Sequence, residues 1–391
     1  MPDEQRDRPR RNLRVGLNLL HSMPEVGGVW NYVRAYVRGL ASCDAANSYV
    51  AYVTRQSLEL VPQCSNFTVV MTSCDPRQRW RRVLYENTVL QRLAIDDNLD
   101  CMHWFANTGA VVPSVPSVVT VHDIMVYARP RAFSVSKRLY LKSMLRLTAR
   151  DSRRTFLCAV SEATAAELSS RLNVRRERVQ VLPFILDGEF QRVSEDAVAS
   201  FKARRRLPER FWLCVGHTYS HKNHGRLLEA YARLRAAAPD TWPLVVRGDP
   251  RDGEESVSKA IREFGLEPHV LRLPRLGEAE LPLLYSAAEC TVFPSLYEGL
   301  GIPVLEAMAC GCPVAVSDLP SVRECAADAG LYFEPREVQS IQKAMMAMQK
   351  SAALRQELRE KGYRRARNHT TKKVIPAALA VYRRAASSRQ P

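Results

Sequence analysis

The chain has 391 residues, 46% of them hydrophobic and 25% charged, which is ordinary for a globular protein and long enough for two domains with full cores. No apolar run reaches the roughly 18 residues of a membrane-spanning helix, which excludes a helical membrane protein. The formal net charge of +16 points to an anionic partner, either nucleic acid or an anionic membrane surface, without choosing between them.

The charged start, Met1–Arg11, has no apolar core of a secretory signal, so a disordered basic tail is expected over residues 1–12. Arg14–Leu20 reads as a first buried strand, followed by Gly27-Gly28 and a helical pattern through Val33, Tyr36, Val37 and Leu40. The two glycines stand where backbone approaches something closely. Ser48–Thr54 and Phe67–Met71 are strand-like, and Arg77–Leu93 has a helical period with four arginines around Trp80. Arginines beside a tryptophan suit a membrane interface as well as a solvated basic face. Cys101–Phe105 is another strand end. Ser117–Val121 is a buried strand that delivers His122 and Asp123 at its C-terminal end, where open α/β sheets place their ligands. A long basic helix follows over Ser136–Arg154, then a strand at Phe156–Val160 and a helix N-capped by Ser161. The first half, residues 13–186, closes on the strand Val179–Pro183.

Residues 187–206 are polar and lack strand patterning, which places the linker near residue 186. Phe211–Gly216 opens a second strand–turn–helix half through His217, Lys222 and Asn223, with a helix on Leu227, Leu228, Tyr231 and Leu234. His217, His221 and His224 have no acidic or cysteine companion of the kind that completes a metal site. Strands are expected at Pro243–Gly248, Val270–Leu273 and Cys290–Phe293. The last runs into Phe293-Pro-Ser-Leu-Tyr-Glu-Gly-Leu-Gly-Ile-Pro-Val-Leu-Glu-Ala-Met-Ala-Cys-Gly-Cys-Pro313. Gly299 and Gly301 permit a tight turn, Pro303 suits a first helical position, and Gly311 a helix end. The amides of Leu300, Gly301 and Ile302 then lie at a helix N-terminus, a site for phosphate. Glu298 and Glu306 flank it as acceptors for hydroxyls. Hydroxyls on both sides of a phosphate describe a sugar nucleotide. Two further helices follow near residues 338–351 and 354–367, and a last one over 373–386. Ten scattered cysteines without a Cys-x-x-Cys pair read as reduced thiols of a cytoplasmic protein.

The string around Glu298 and Glu306 resembles the signature of the family-four retaining glycosyltransferases with the GT-B fold, the glycosyl transferases group 1. The resemblance implies an α/β architecture of two Rossmann-like domains facing a central cleft. An acceptor-binding domain over 13–186 would precede a nucleotide-sugar domain over 187–372, and a helix in 373–391 would cross back to the first. It implies that Glu298 approaches the donor hexose and Glu306 the ribose. It places the Gly27-Gly28 loop, His217, Lys222 and Asn223 at the donor phosphates, and His122 near the transferred sugar, with Asp123 orienting it. The family's glycine loop commonly carries a further glycine and an arginine where this chain has Trp30 and Asn31, and arginine is common at the place of His217 or His221. Among family members the string is most like bacterial mannosyltransferases of polysaccharide and lipopolysaccharide assembly. That implies a hexosyltransferase using GDP-mannose and a glycan or lipid-linked acceptor, with retention and no bound metal or cofactor. Such an enzyme would be cytoplasmic, resting peripherally on the anionic inner leaflet through its basic first domain.

The competing reading is a non-catalytic nucleotide- or nucleic-acid-binding Rossmann-like protein. It rests on the charge, but RNA-binding aromatic motifs and a helix-turn-helix pattern are missing, so no nucleic acid partner is expected. A dinucleotide oxidoreductase lacks its Gly-x-Gly-x-x-Gly after the first strand.

Overall fold

The computed structural model describes residues 11–150, 154–186, 188–274, 276–277 and 279–388. Most of the expected tail lies outside them. Two all-parallel sheets carry the chain. The first contains β1 (Arg14–Asn18), β2 (Ser48–Val53), β3 (Phe67–Met71), β4 (Cys101–Trp104), β5 (Ser117–Val121), β6 (Thr155–Ala159) and β7 (Val179–Val181). Its order is β3-β2-β1-β4-β5-β6-β7. The second contains β8 (Trp212–Val215), β9 (Leu244–Arg247), β10 (Val270–Leu273), β11 (Cys290–Phe293), β12 (Val314–Ser317) and β13 (Gly330–Phe333), in the order β10-β9-β8-β11-β12-β13. Central strands such as β5, β8 and β11 are buried along their whole length, because helices cover both faces of a parallel sheet. Their apolar runs follow from that.

Each sheet reverses its order once, between β1 and β4 in the first and between β8 and β11 in the second. Such switch points open a crevice beyond the strand C-termini. The loops that follow β1, β8 and β11 are the ones that carry Gly27, Lys222 and Glu298.

The last helix, Thr371–Ser387, lies on the first sheet. Tyr382 Oη sits 2.7 Å from His103 Nδ1, whose ring also meets Thr120 Oγ1 at 2.7 Å. The chain thus crosses back after completing the second domain, and the Leu186 amide donates to the His369 carbonyl where the two crossings meet.

Three local expectations change. The segment over Arg77–Leu93 is two helices, Arg79–Asn87 and Val89–Asp96, broken at Thr88 (φ −127°, ψ −82°). The Asn87 and Thr88 side chains donate to the carbonyls of Val83 and Leu84, and such back-bonding competes with continuation of the helix. The polar stretch 187–206 is not all linker. Glu195–Arg205 is a helix, capped by Ser194, whose Oγ accepts from the Ala197 amide. The basic helix covers Val135–Arg150, and residues 151–153 lie outside the described residues.

Candidate active site

A cavity of about 640 Å³ lies between the two domains at the switch points. Its floor is the turn after β11. Gly301 has φ +110° and Ile302 begins a helix that runs to Ala309, with Pro303 in its first turn. Among the described residues, the amides of Leu300, Gly301 and Ile302 donate to no backbone carbonyl, and all three line the cavity. The facing wall is the Gly27-Gly28 turn after β1. Gly27 has φ +66°, a Cβ there would lie 3.0 Å from His217 Nε2, and one on Gly28 would lie 3.7 Å from Ile302 Cδ1. The helix Gly28–Cys43 starts at this point. Two helix N-termini, one from each domain, therefore converge on one space, an arrangement suited to a diphosphate.

Lys222 Nζ donates to Glu298 Oε1 at 2.6 Å, and both side chains are largely buried. A cation and a carboxylate expected at phosphate and hexose thus hold each other. A diphosphate entering here would compete for the ammonium and free the carboxylate to accept from hydroxyls.

Glu306 is 2% exposed. Tyr285 Oη donates to its Oε2 at 2.9 Å, while Oε1 has no hydrogen-bond partner and lies beside Asn31. Burial pushes its carboxyl up to about 7, against the opposing pull of Tyr285 and of the Arg247 and Arg34 guanidiniums. A buried acceptor without a donor fits a ligand hydroxyl.

His122 lines the opposite side of the cavity. Its Nε2 lies 2.8 Å from the Phe105 carbonyl, and burial lowers its pKa to about 4. The ring is neutral at pH 7, Nε2 carries the hydrogen, and Nδ1 is left as an acceptor. The orienting partner is the Phe105 carbonyl and not Asp123. The Asp123 carboxylate turns back to accept from the Met125 amide at 2.9 Å, which opens the short helix Met125–Ala128. It still lines the cavity.

Asn223 does not line the cavity. It is buried with φ +62°, and its Nδ2 donates to the carbonyls of Pro294 and Pro335 at 3.0 and 2.7 Å. It ties the Lys222 loop to the β11 turn, so its place is structural. His217 does line the cavity. Its Nδ1 accepts from the Asp249 amide at 3.0 Å, and burial first of all lowers its pKa to about 4. His221 is also held below its ordinary value by burial. Neither supplies a positive charge near pH 7. His224 is buried in the helix that follows, and among the described residues no three His, Cys, Asp or Glu side chains are grouped to hold a metal ion.

Comparison with known proteins now decides the family. Residues 26–188 match the family model for Glycosyltransferase Family 4, and residues 197–365 match that for Glycosyl transferases group 1. The chain belongs to the group 1 glycosyltransferases. It is 30% identical over 227 residues to the O-antigen chain mannosyltransferase B of Escherichia coli, covering 58% of this chain and 59% of that protein. It is 27% identical over 227 residues to the O-antigen chain mannosyltransferase RfbU of Salmonella typhimurium, with the same shares. The chain thus spans about three-fifths of the length of these relatives, 59% in each case. Among solved structures, the sucrose-phosphate synthase of Thermosynechococcus elongatus superimposes with a TM-score of 0.77 at 20% identity, over 95% of this chain and 99% of that one. The fold is GT-B, as the resemblance implied.

Several parts of this group 1 site were not anticipated. Arg247 ends β9 and lines the cavity, and its buried Nε has no partner. The position rule that singled out His122 at the end of β5 applies equally to it. Tyr285 and Asn31 flank Glu306, but nothing in sequence spacing links them to it. A clamp between the domains also went unread. Ser161 Oγ and Thr164 Oγ1 donate to the Gly299 carbonyl at 2.6 and 3.1 Å. The Glu324 carboxylate accepts from the amides of Glu162 and Ala163 at 2.8 and 3.1 Å, a negative charge at a helix N-terminus. Tyr297 Oη donates to Glu167 at 2.7 Å. A Cβ on Gly299 would fall 1.8 Å from the His122 carbonyl oxygen, so only glycine allows this approach.

Proposed function

We propose that this chain is a retaining hexosyltransferase that moves mannose from GDP-mannose to a hydroxyl of a glycan or lipid-linked acceptor in polysaccharide assembly. The carrying observation is the Lys222–Glu298 pair beside the free amides of Leu300–Ile302, facing His122 across one cavity. The mannose assignment draws on the two O-antigen mannosyltransferase relatives, and the guanine nucleotide is the donor that the family resemblance implies.

In this reading the bond between C1 of the hexose and the diphosphate oxygen breaks, and the acceptor oxygen bonds to C1 on the same face. The acceptor proton passes to the departing phosphate. Charge gathers on the diphosphate, where the Leu300–Ile302 amides, Lys222 and the Gly27 turn stabilise it. Glu298, freed from Lys222, orients the hexose hydroxyls, and the acceptor nitrogen of His122 holds the acceptor hydroxyl beside the transferred sugar. Glu306 accepts from the ribose. No metal is assigned to the diphosphate, because cationic and amide donors already face it. The acceptor's lipid anchor would hold the enzyme at the cytoplasmic leaflet.

The test is transfer from radiolabelled GDP-mannose into a bacterial lipid extract, with the anomeric configuration of the product read by NMR. Labelled α-linked lipid product formed in the presence of EDTA is expected. Product of inverted configuration would overturn retention, loss of transfer in EDTA would overturn metal independence, and transfer from UDP-hexoses alone would overturn the donor assignment.

A further inference from the structure

A buried polar group without a partner points to what its site receives. Among the described residues, three lysines and arginines line the large cavity: Lys137, Lys222 and Arg247. Lys137 lies on the acceptor side, its Nζ 5.3 Å from the centre of the Phe133 ring. Lys222 is committed to Glu298. Arg247 has no such partner. Its Nε is buried without a hydrogen bond, and among the described residues its guanidinium is in no ion pair.

The backbone explains why it stands there. β8 and β9 are neighbours, Val215 lies opposite Arg247, and the Gly216 amide donates to the Arg247 carbonyl at 2.9 Å. Arg247 therefore ends its strand beside the turn that carries His217. Both residues also line a second, smaller cavity of about 140 Å³, together with Gly27 and Asn31. The charge of Arg247 bears on Glu306, Tyr285 and His217.

A nucleotide-diphosphate sugar carries one negative charge on each phosphate. Lys222 can meet one of them, and only by leaving Glu298. His217 and His221 are neutral near pH 7, so neither meets the other. A buried guanidinium without a counter-charge is costly to keep in a folded protein, and an anion that pairs with it offsets that cost. We propose that Arg247 is a further donor-binding residue that pairs with the phosphate adjoining the ribose. The position follows from its neighbours: Glu306, which takes the ribose in the proposed reading, and His217 at the diphosphate. A guanidinium meets a phosphate through two parallel N–H donors, which fixes direction as well as charge. The edge of a base can accept from the same fork but brings no negative charge. Arg247 is none of the residues that the family resemblance places at the donor. The inference rests on the proposed reading in requiring a nucleoside diphosphate in this cavity.

The test is calorimetric titration of wild type, Arg247→Leu and Arg247→Lys with GDP, GMP, UDP and UMP, with guanosine and uridine followed by ligand-observed NMR. Arg247→Leu should weaken the diphosphate and the monophosphate alike, by about 10- to 100-fold, through loss of a charged hydrogen bond. Arg247→Lys keeps the charge and loses the fork, so its affinity should fall between the two. The nucleoside should bind all three proteins equally. Without ligand, Arg247→Leu should melt no lower than wild type, because it removes a buried cation that has no partner. Unchanged affinity for GDP and GMP in Arg247→Leu would overturn the proposal. An equal loss for the nucleoside would also overturn it, by assigning Arg247 to the base. If wild type binds UDP and UMP in place of GDP and GMP, the donor reading falls, and the same loss in Arg247→Leu leaves the assignment of Arg247 standing. Wild type that binds neither diphosphate would overturn both.

Discussion

The two sides of the cleft are built differently. Apart from the facing Gly27-Gly28 turn, the donor side comes from two loops at one switch point of the second sheet, and most of it lies in a single contiguous stretch, Glu298 to Glu306. The acceptor side is assembled from the ends of β1, β4, β5 and β6, at Asn18, Trp104, Val121 and Ala159, which are 17 or more residues apart. A nucleotide diphosphate is a constant ligand, and a short motif serves it. The acceptor varies, and its wall is spread over loops that can change independently. The surfaces follow the same division: the second domain is nearly neutral and sealed, while the first is basic and exposes apolar groups.

Substitutions can break or sharpen this division. The largest effect should come from Glu298→Gln and Lys222→Ala, each lowering kcat by about 10²–10³ if the pair serves the leaving diphosphate and hexose. Both should slow hydrolysis of the donor by water as much as transfer to acceptor. His122→Ala should slow transfer more than hydrolysis. Equal losses of both activities in all three variants would erase the distinction between the sides.

Acid should affect both domains. Burial holds His21 at about 3, and His122, His217, His224 and His369 at about 4, against an ordinary 6.5. These lowered values mean stability that is fully present above pH 6.5 and lost as pH falls toward 4, each group contributing up to about 1.4 kcal/mol per pH unit in that window. Thermal unfolding should therefore shift down steeply from pH 6.5 to pH 4.5. A flat Tm across that range would show that these rings ionise freely.

Gly299→Ala probes the contact between the two sides. Its new Cβ meets the His122 carbonyl, and the resulting shift should cost about 1–3 kcal/mol while loosening the Ser161–Thr164 clamp. The radius of gyration from X-ray scattering should rise and transfer should fall. An unchanged scattering curve would place the domains' approach elsewhere.

The smallest effect belongs to Glu306. Its carboxyl, raised from 4.5 to about 7, favours the folded state while protonated. The stabilisation is complete below pH 4.5 and lost as pH rises through 7, on the order of 1–3 kcal/mol. Glu306→Gln should accordingly melt higher than wild type at pH 8 and equally at pH 5. A difference of the opposite sign would show that the carboxylate is well solvated.

Much of the fold was legible because buried parallel strands leave unbroken apolar runs, and because the reversals in strand order fall where glycine turns interrupt the pattern. The site was legible where chemistry and sequence proximity coincide, as in Leu300–Ile302 and Glu298. Elsewhere proximity misled. Asn223 neighbours Lys222 but points into the protein, since its left-handed backbone turns the side chain toward two carbonyls. Asp123 neighbours His122 but caps its own turn. The break at Thr88 was hidden because no proline or glycine marks it. Tyr285, Arg247 and the Gly299 clamp depend on tertiary contact alone.

The most direct measurement is calorimetric titration of the chain with GDP, UDP, dTDP and ADP and their sugar conjugates, repeated on Glu306→Ala. The account predicts selective binding of GDP and GDP-mannose, weakened about 10- to 100-fold in the variant by loss of a charged hydrogen bond to the ribose. Folded protein that binds none of these nucleotides would contradict it.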